Sequence, residues 1–164
     1  MKAEKGVESV LQHQLSQQES EALSRLQSLP SISPGDSSTF YEHFILRGIR
    51  VDRVQPGLVS CSFKVPPRLT DESGKLCNCA FANLVDEVGG AVVHVEGLPM
   101  NVSVDMSISF LSTARVDDEL EITSKLLGRK GGYSGTIVLL KNKATGELIA
   151  EGRHSLFGRH NSKM

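Results

Sequence analysis

The chain has 164 residues, 39% of them hydrophobic, and carries a formal net charge of −1. Such a length suggests a single domain with enough apolar content for one core. The balanced charge offers no basic field for nucleic acid, and no stretch approaches 18 apolar residues, so no membrane-spanning helix is expected.

Residues 1–37 read as a peripheral arm or helix. Gln, Ser and Glu dominate it, with Val7, Val10, Leu11, Leu15, Leu23, Leu26 and Leu29 spaced roughly as one helical face. Glu4, Glu8, Glu19 and Glu21 and the lack of an apolar h-region argue against a signal or transit peptide. Residues 38–157 read as the folded domain. Thr39-Phe40-Tyr41-Glu42 is a capping box that opens a short helix to Leu46, with Gly48 as its stop. Ile49 to Gln55 reads as a strand with an irregularity, because Ile49 and Val51 alternate but the next apolar residue is Val54. Pro56-Gly57 is a turn, Leu58 to Val65 a second strand, and Pro66-Pro67 breaks the ladder.

The central feature is a helix from about Cys79 to Val95, with Asn78 as the candidate N-cap. It is apolar nearly all round, which places it inside the fold, yet it carries Asp86 and Glu87. A carboxylate is costly to bury unless it is paired or used. With Asn83 as zero on a helical wheel, Asp86, Glu87, Gly90 and His94 share an arc of about 100°. Gly97-Leu98-Pro99 ends the element.

A clear strand follows, with Val102, Val104, Met106, Ile108 and Phe110 expected on one face and Ser103, Asp105, Ser107 and Ser109 on the other. Glu119 to Leu127 is the next, with a shift of parity near Leu126-Leu127. Arg129-Lys130-Gly131-Gly132 reads as a turn, Tyr133 to Lys141 as a strand, Asn142 to Gly146 as a hairpin loop, and Glu147 to Phe157 as the closing strand. Strand runs around one buried helix imply an α+β fold with an antiparallel sheet. The three cysteines, Cys61, Cys77 and Cys79, form neither an even disulfide framework nor the two-residue spacing of a zinc site, and point to a reducing compartment.

Asn83-Leu84-Val85-Asp86, Val102-Ser103-Val104-Asp105-Met106, Asn142-Lys143-Ala144-Thr145-Gly146 and Ala150-Glu151-Gly152-Arg153-His154 resemble segments of the hotdog-fold thioesterases. The resemblance is to the small acyl-coenzyme A thioesterases of the thioesterase-13 type, within the PaaI-like group, and covers roughly residues 40–157. It implies a curved antiparallel sheet of about five to six strands wrapped around one long helix. It implies that Asp86 is the catalytic carboxylate, that backbone N–H groups at Asn78 and Cys79 polarise the thioester carbonyl, and that Ser103 assists from the partner subunit. The family's His-Gly-Gly entrance is Cys77-Asn78-Cys79 here, and a family Asn in the preceding loop aligns with Asp71.

On physical grounds, burial is expected to push the Asp86 pKa toward the range of a general base. The alternative is a structural acid paired at a dimer seam. Asp71 either positions a water or serves its own turn. Asn83, Glu87 and Gly90 line the same stripe as candidate substrate contacts. Arg129 and Lys130 are candidates for the coenzyme A phosphates. His94 and Cys77 read as packed polar groups, and Ser134 does not fit a nucleophile elbow. Asp86 lies about 11 Å by helix rise from the Asn78–Cys79 entrance, so one subunit does not close the site and a second copy is expected to. The expected protein is a homodimer or homotetramer that hydrolyses a fatty or aromatic acyl-CoA, with no metal and no cofactor beyond the coenzyme A of the substrate. The rivals are an acyl-CoA-binding scaffold and a hydratase, the latter wanting a His/Asp pair. The tail, residues 158–164, ends in Ser162-Lys163-Met164, close to a peroxisomal address.

Overall fold

The computed structural model describes residues 40–95 and 101–158. The arm at 1–37, the Thr39 cap, the Gly97-Leu98-Pro99 break and the Ser162–Met164 tail lie outside the described residues. Helix α1 (Phe40–Leu46) leads into β1 (Ile49–Gln55) and β2 (Leu58–Lys64). A 3-10 turn at Pro67–Leu69 precedes the long helix α2 (Asn78–His94). Strands β3 (Val102–Phe110), β4 (Glu119–Lys130), β5 (Tyr133–Asn142) and β6 (Leu148–Phe157) follow. All six strands form one antiparallel sheet in the order β1-β2-β4-β5-β6-β3. The last three elements are a meander, and β3 is carried across to pair with β6 at the far edge.

Helix α2 packs on the sheet because one face of it is apolar. Ala80, Phe81, Leu84, Val85, Val88, Val92 and Val93 are buried against Phe63, Leu120, Ile122, Val138, Leu140 and Leu156 of the strands. Phe81 meets Phe110 of β3 edge to face, with ring centroids 5.9 Å apart. At two points the helix lies so close that only glycine fits. A Cβ at Gly152 would come within 2.5 Å of Val85, and one at Gly89 within 2.7 Å of His154 Nδ1. The opposite stripe, with Asn83, Asp86, Glu87, Gly90 and His94, remains only partly covered. The helix is therefore amphipathic in the single chain, not buried all round.

The expected irregularity in β1 is a bulge between Val51 and Arg53, and the shift in β4 lies between Leu126 and Gly128. Several boundaries differ by a residue or more from those expected, and two of them bear on the ends of α2. Strand β4 runs on through Arg129 and Lys130, which pair with Ser134 and Tyr133, so the turn is only Gly131-Gly132. The N-cap of α2 is Cys77, with extended φ −68°, ψ 144°, and Asn78 is already the first helical residue. Cys77 takes the cap because its carbonyl receives Ala80 N–H at 3.0 Å and its N–H is held by Leu69 O at 2.9 Å.

Candidate active site

Strand β3 does not alternate as its sequence suggests. Met106 pairs with His154 and Asp105 with Ser155, but the residue opposite Leu156 is Ser103. Val104 is the extra residue of a β-bulge, and one extra residue reverses the parity of everything before it. Ser103 thereby joins Met106 on the helix side of the sheet rather than facing away with Ser107 and Ser109.

That turn brings three side chains from three elements together. Ser103 Oγ donates to Asp86 Oδ1 at 2.7 Å. His154 Nε2, from β6, lies 2.9 Å from Ser103 Oγ and 3.3 Å from Asp86 Oδ1. The imidazole is fully buried, whereas the Asp86 side chain is 42% exposed. The burial expected of Asp86 is thus absent in a single subunit, because the carboxylate stands on the helix stripe that faces away from the sheet. Ser103 reaches Asp86 within the same chain.

The protonation pattern follows from the partners. His154 Nδ1 is buried with no hydrogen-bond partner and faces Gly89. Leaving a bare lone pair there costs less than stranding an N–H, so the proton sits on Nε2 and points at Ser103 Oγ. Burial pushes the His154 pKa down, opposed in part by Asp86, so the ring is neutral at neutral pH. Ser103 accepts a hydrogen bond from the imidazole and donates one from its own hydroxyl to Asp86 Oδ1. No bond among the described residues engages Asp86 Oδ2, which leaves that oxygen for a water. His154 is a site residue that sequence alone does not single out. Its signal was a polar ring at an inward position of β6, in line with buried Gly152 and Leu156. The His/Asp contact that a hydratase would want does exist, but the ring is sealed from any substrate.

The other candidates are spread around this cluster. Glu87 is half-buried, and its carboxyl is pushed above the usual range by burial, by Glu42 and by Asp86. Asn83 turns back on its own helix, donating from Nδ2 to Cys79 O at 2.7 Å. Gly90 is not forced by packing, since a Cβ there would only touch Leu156 at 3.8 Å. Asp71 Oδ1 accepts from Ser73 N–H, Ser73 Oγ and Lys75 N–H at 2.8–3.0 Å, and these bonds hold its carboxyl below the usual range. That is turn chemistry. Arg129 Nη2 donates to Val93 O at 3.3 Å and so caps the C-terminal end of α2, where a cation meets the negative end of the helix dipole. Lys130 is exposed. At the other end of α2, the N–H groups of Asn78 and Cys79 have no acceptor within the helix.

The fold has counterparts in known proteins. The thioesterase superfamily model matches residues 74–134. Acyl-coenzyme A thioesterase 13 of Homo sapiens is 38% identical over 112 residues, spanning 68% of this chain and 80% of the relative. The crystal structure of zebrafish thioesterase superfamily member 2 superposes with a TM-score of 0.69 at 30% identity, covering 88% of this chain and 100% of that one. The PaaI protein of E. coli, at 15% identity, shares the fold with a TM-score of 0.65. By its sheet order, its packed helix and these relatives, the chain belongs to the thioesterase superfamily of thioester hydrolases.

Proposed function

We propose that this protein hydrolyses fatty or aromatic acyl-coenzyme A thioesters to the free acid and coenzyme A, with Asp86 as general base or nucleophile. The observation that carries the reading is the Asp86–Ser103–His154 cluster, which fixes Oδ1 and leaves Oδ2 for the reacting water. As general base, Oδ2 takes a proton from water while the oxygen attacks the thioester carbonyl. The developing oxyanion is held by backbone N–H groups of the Asn78–Cys79 turn, whose alignment with the helix dipole favours negative charge. The C–S bond then breaks and the thiolate of coenzyme A takes up the proton. If Asp86 instead attacks directly, an anhydride forms and water cleaves it. Ser103 and His154 act by holding the carboxylate in one orientation, which is worth most when the acceptor geometry is tight.

Asp86 and the donors stand two turns apart on one helix, so the reading includes a second copy whose helix N-terminus faces Asp86. Edge strand β3 supports this. Its Val102, Val104, Met106 and Phe110 side chains are exposed, and an apolar unpaired edge invites pairing with another chain. We place the protein in the peroxisome on the Ser162-Lys163-Met164 ending. Deleting those three residues tests that placement, and an unchanged cellular distribution would refute it. The activity itself is tested by presenting the purified protein with a panel of acyl- and aroyl-CoA esters and following free thiol. Turnover of at least one ester is expected. Binding without turnover of any ester would favour a scaffold instead.

A further inference from the structure

We propose that Cys77 and Cys79 form a reversible oxidative switch on the entrance of α2, a thiol pair that a peroxide closes into a disulfide ring around Asn78. Four observations carry this. Cys77 is the N-cap and has extended backbone geometry, so it stands outside the helical repeat that begins at Asn78. Residue N2 is Cys79, near enough that the two thiols influence each other electrostatically. Asn78 between them is helical, which sets the Cα separation of Cys77 and Cys79 at about 5.4 Å. That lies inside the range of roughly 4.4–6.8 Å that disulfides occupy. Finally, Cys79 is exposed while Cys77 is half-covered, so an oxidant meets one thiol with the second already beside it.

The step balances. The Cys79 thiol reduces one peroxide molecule, becoming a sulfenic acid as one water leaves. The Cys77 sulfur attacks that sulfur, the S–O bond breaks, and a second water leaves with the thiol proton. Cys79 meets the oxidant first because it is the exposed thiol, and Cys77, whose pKa is raised by burial, Cys79 and Asp71, resolves the sulfenic acid through its smaller thiolate fraction. Cys61 is buried in the core and takes no part. The closed ring spans Asn78 and ends on Cys79, the residues whose N–H groups are assigned to the oxyanion. Their orientation changes when it forms. The proposal rests on the assignment of the helix entrance to the thioester carbonyl.

The test treats the full chain with hydrogen peroxide, then blocks remaining thiols and maps the peptides by mass. A Cys77–Cys79 disulfide is expected, with kcat/KM on a turned-over acyl-CoA falling about 10²-fold, as for loss of an oxyanion donor, and returning with dithiothreitol. Cys77→Ser is expected to keep its activity, since Ser is a good N-cap, and to resist reversible inactivation. The proposal is overturned if both thiols remain alkylatable after oxidation, if the disulfide forms without loss of activity, or if Cys77→Ser is inactivated and rescued as the parent is. Peptide mapping is independent of turnover, so an untreated protein without thioesterase activity would sink the functional assignment and not the disulfide.

Discussion

The imidazole of His154 occupies the space that a side chain at residue 89 would fill: a Cβ on Gly89 would stand 2.7 Å from His154 Nδ1, 3.2 Å from Val138 and 3.3 Å from Thr136 Oγ1. Glycine at this point of α2 is therefore part of how His154 reaches Ser103. Gly89→Ala is expected to destabilise the fold by about 1–3 kcal/mol through overpacking, despite the better helix propensity of alanine. It is also expected to lower kcat more than it raises KM. Denaturant unfolding beside steady-state kinetics checks both; an alanine variant at least as stable as the parent would show that the ring is not confined.

The bulge at Val104 sets which side chain of β3 faces Asp86. Ser103→Ala is expected to cost about 10²-fold in kcat/KM, as loss of a group that orients the base. Moving the hydroxyl by one residue, with Ser103→Val and Val104→Ser together, is expected to leave the loss unrepaired. A regularly alternating strand would point residue 104 inward, and recovery of activity in the double variant would mean that the strand alternates.

Glu87 carries the acid that burial affects most on this helix. Its folded pKa is raised above the ordinary 4.5, by desolvation first and then by Glu42 and Asp86. A raised acid binds more protons in the folded state, so its contribution is favourable below the unfolded value and is lost as pH rises through the folded one. Glu87→Gln is therefore expected to raise the midpoint of thermal unfolding at neutral pH. The gain should close as pH falls toward 4.5. A gain that persists unchanged into acid would mean that packing and not ionisation is responsible.

His154 gives the opposite slope. Its folded pKa lies below the ordinary 6.5 because burial disfavours the imidazolium, with Asp86 opposing. The unfolded chain then takes up the proton first, so stability falls as pH drops through 6.5 and continues to fall until the folded ring titrates. In His154→Gln that segment of the stability curve is expected to flatten. An unaltered slope would assign the titration to another group.

The element order and the α+β class are legible in the sequence because their signals are local: the apolar periodicity of Ala80 to Val95, the Pro56-Gly57 turn, and the broken alternations at Val51–Val54 and Leu126–Leu127. Asp86 is legible as a carboxylate on a greasy helix. What assembles around it is not, because its partners are non-local. The β3 pattern in isolation points Ser103 away from the helix, and only the pairing of Ser103 with Leu156 shows the bulge. His154 is 68 residues from Asp86 in the chain and meets it through sheet closure. Arg129 and Asp71 have generic sequence signals, a basic turn and an Asx turn, and their partners at Val93 O and Ser73 come from tertiary and loop geometry.

Asp86 as the reacting carboxylate is tested most directly by comparing Asp86→Asn with the parent on a turned-over acyl-CoA. Asparagine keeps the size of the side chain and can still accept from Ser103, so the fold should stand, but it cannot take the proton of a water. A fall in kcat of at least about 10²-fold with an unchanged unfolding midpoint is the predicted result. An Asp86→Asn enzyme that turns over as fast as the parent would contradict it.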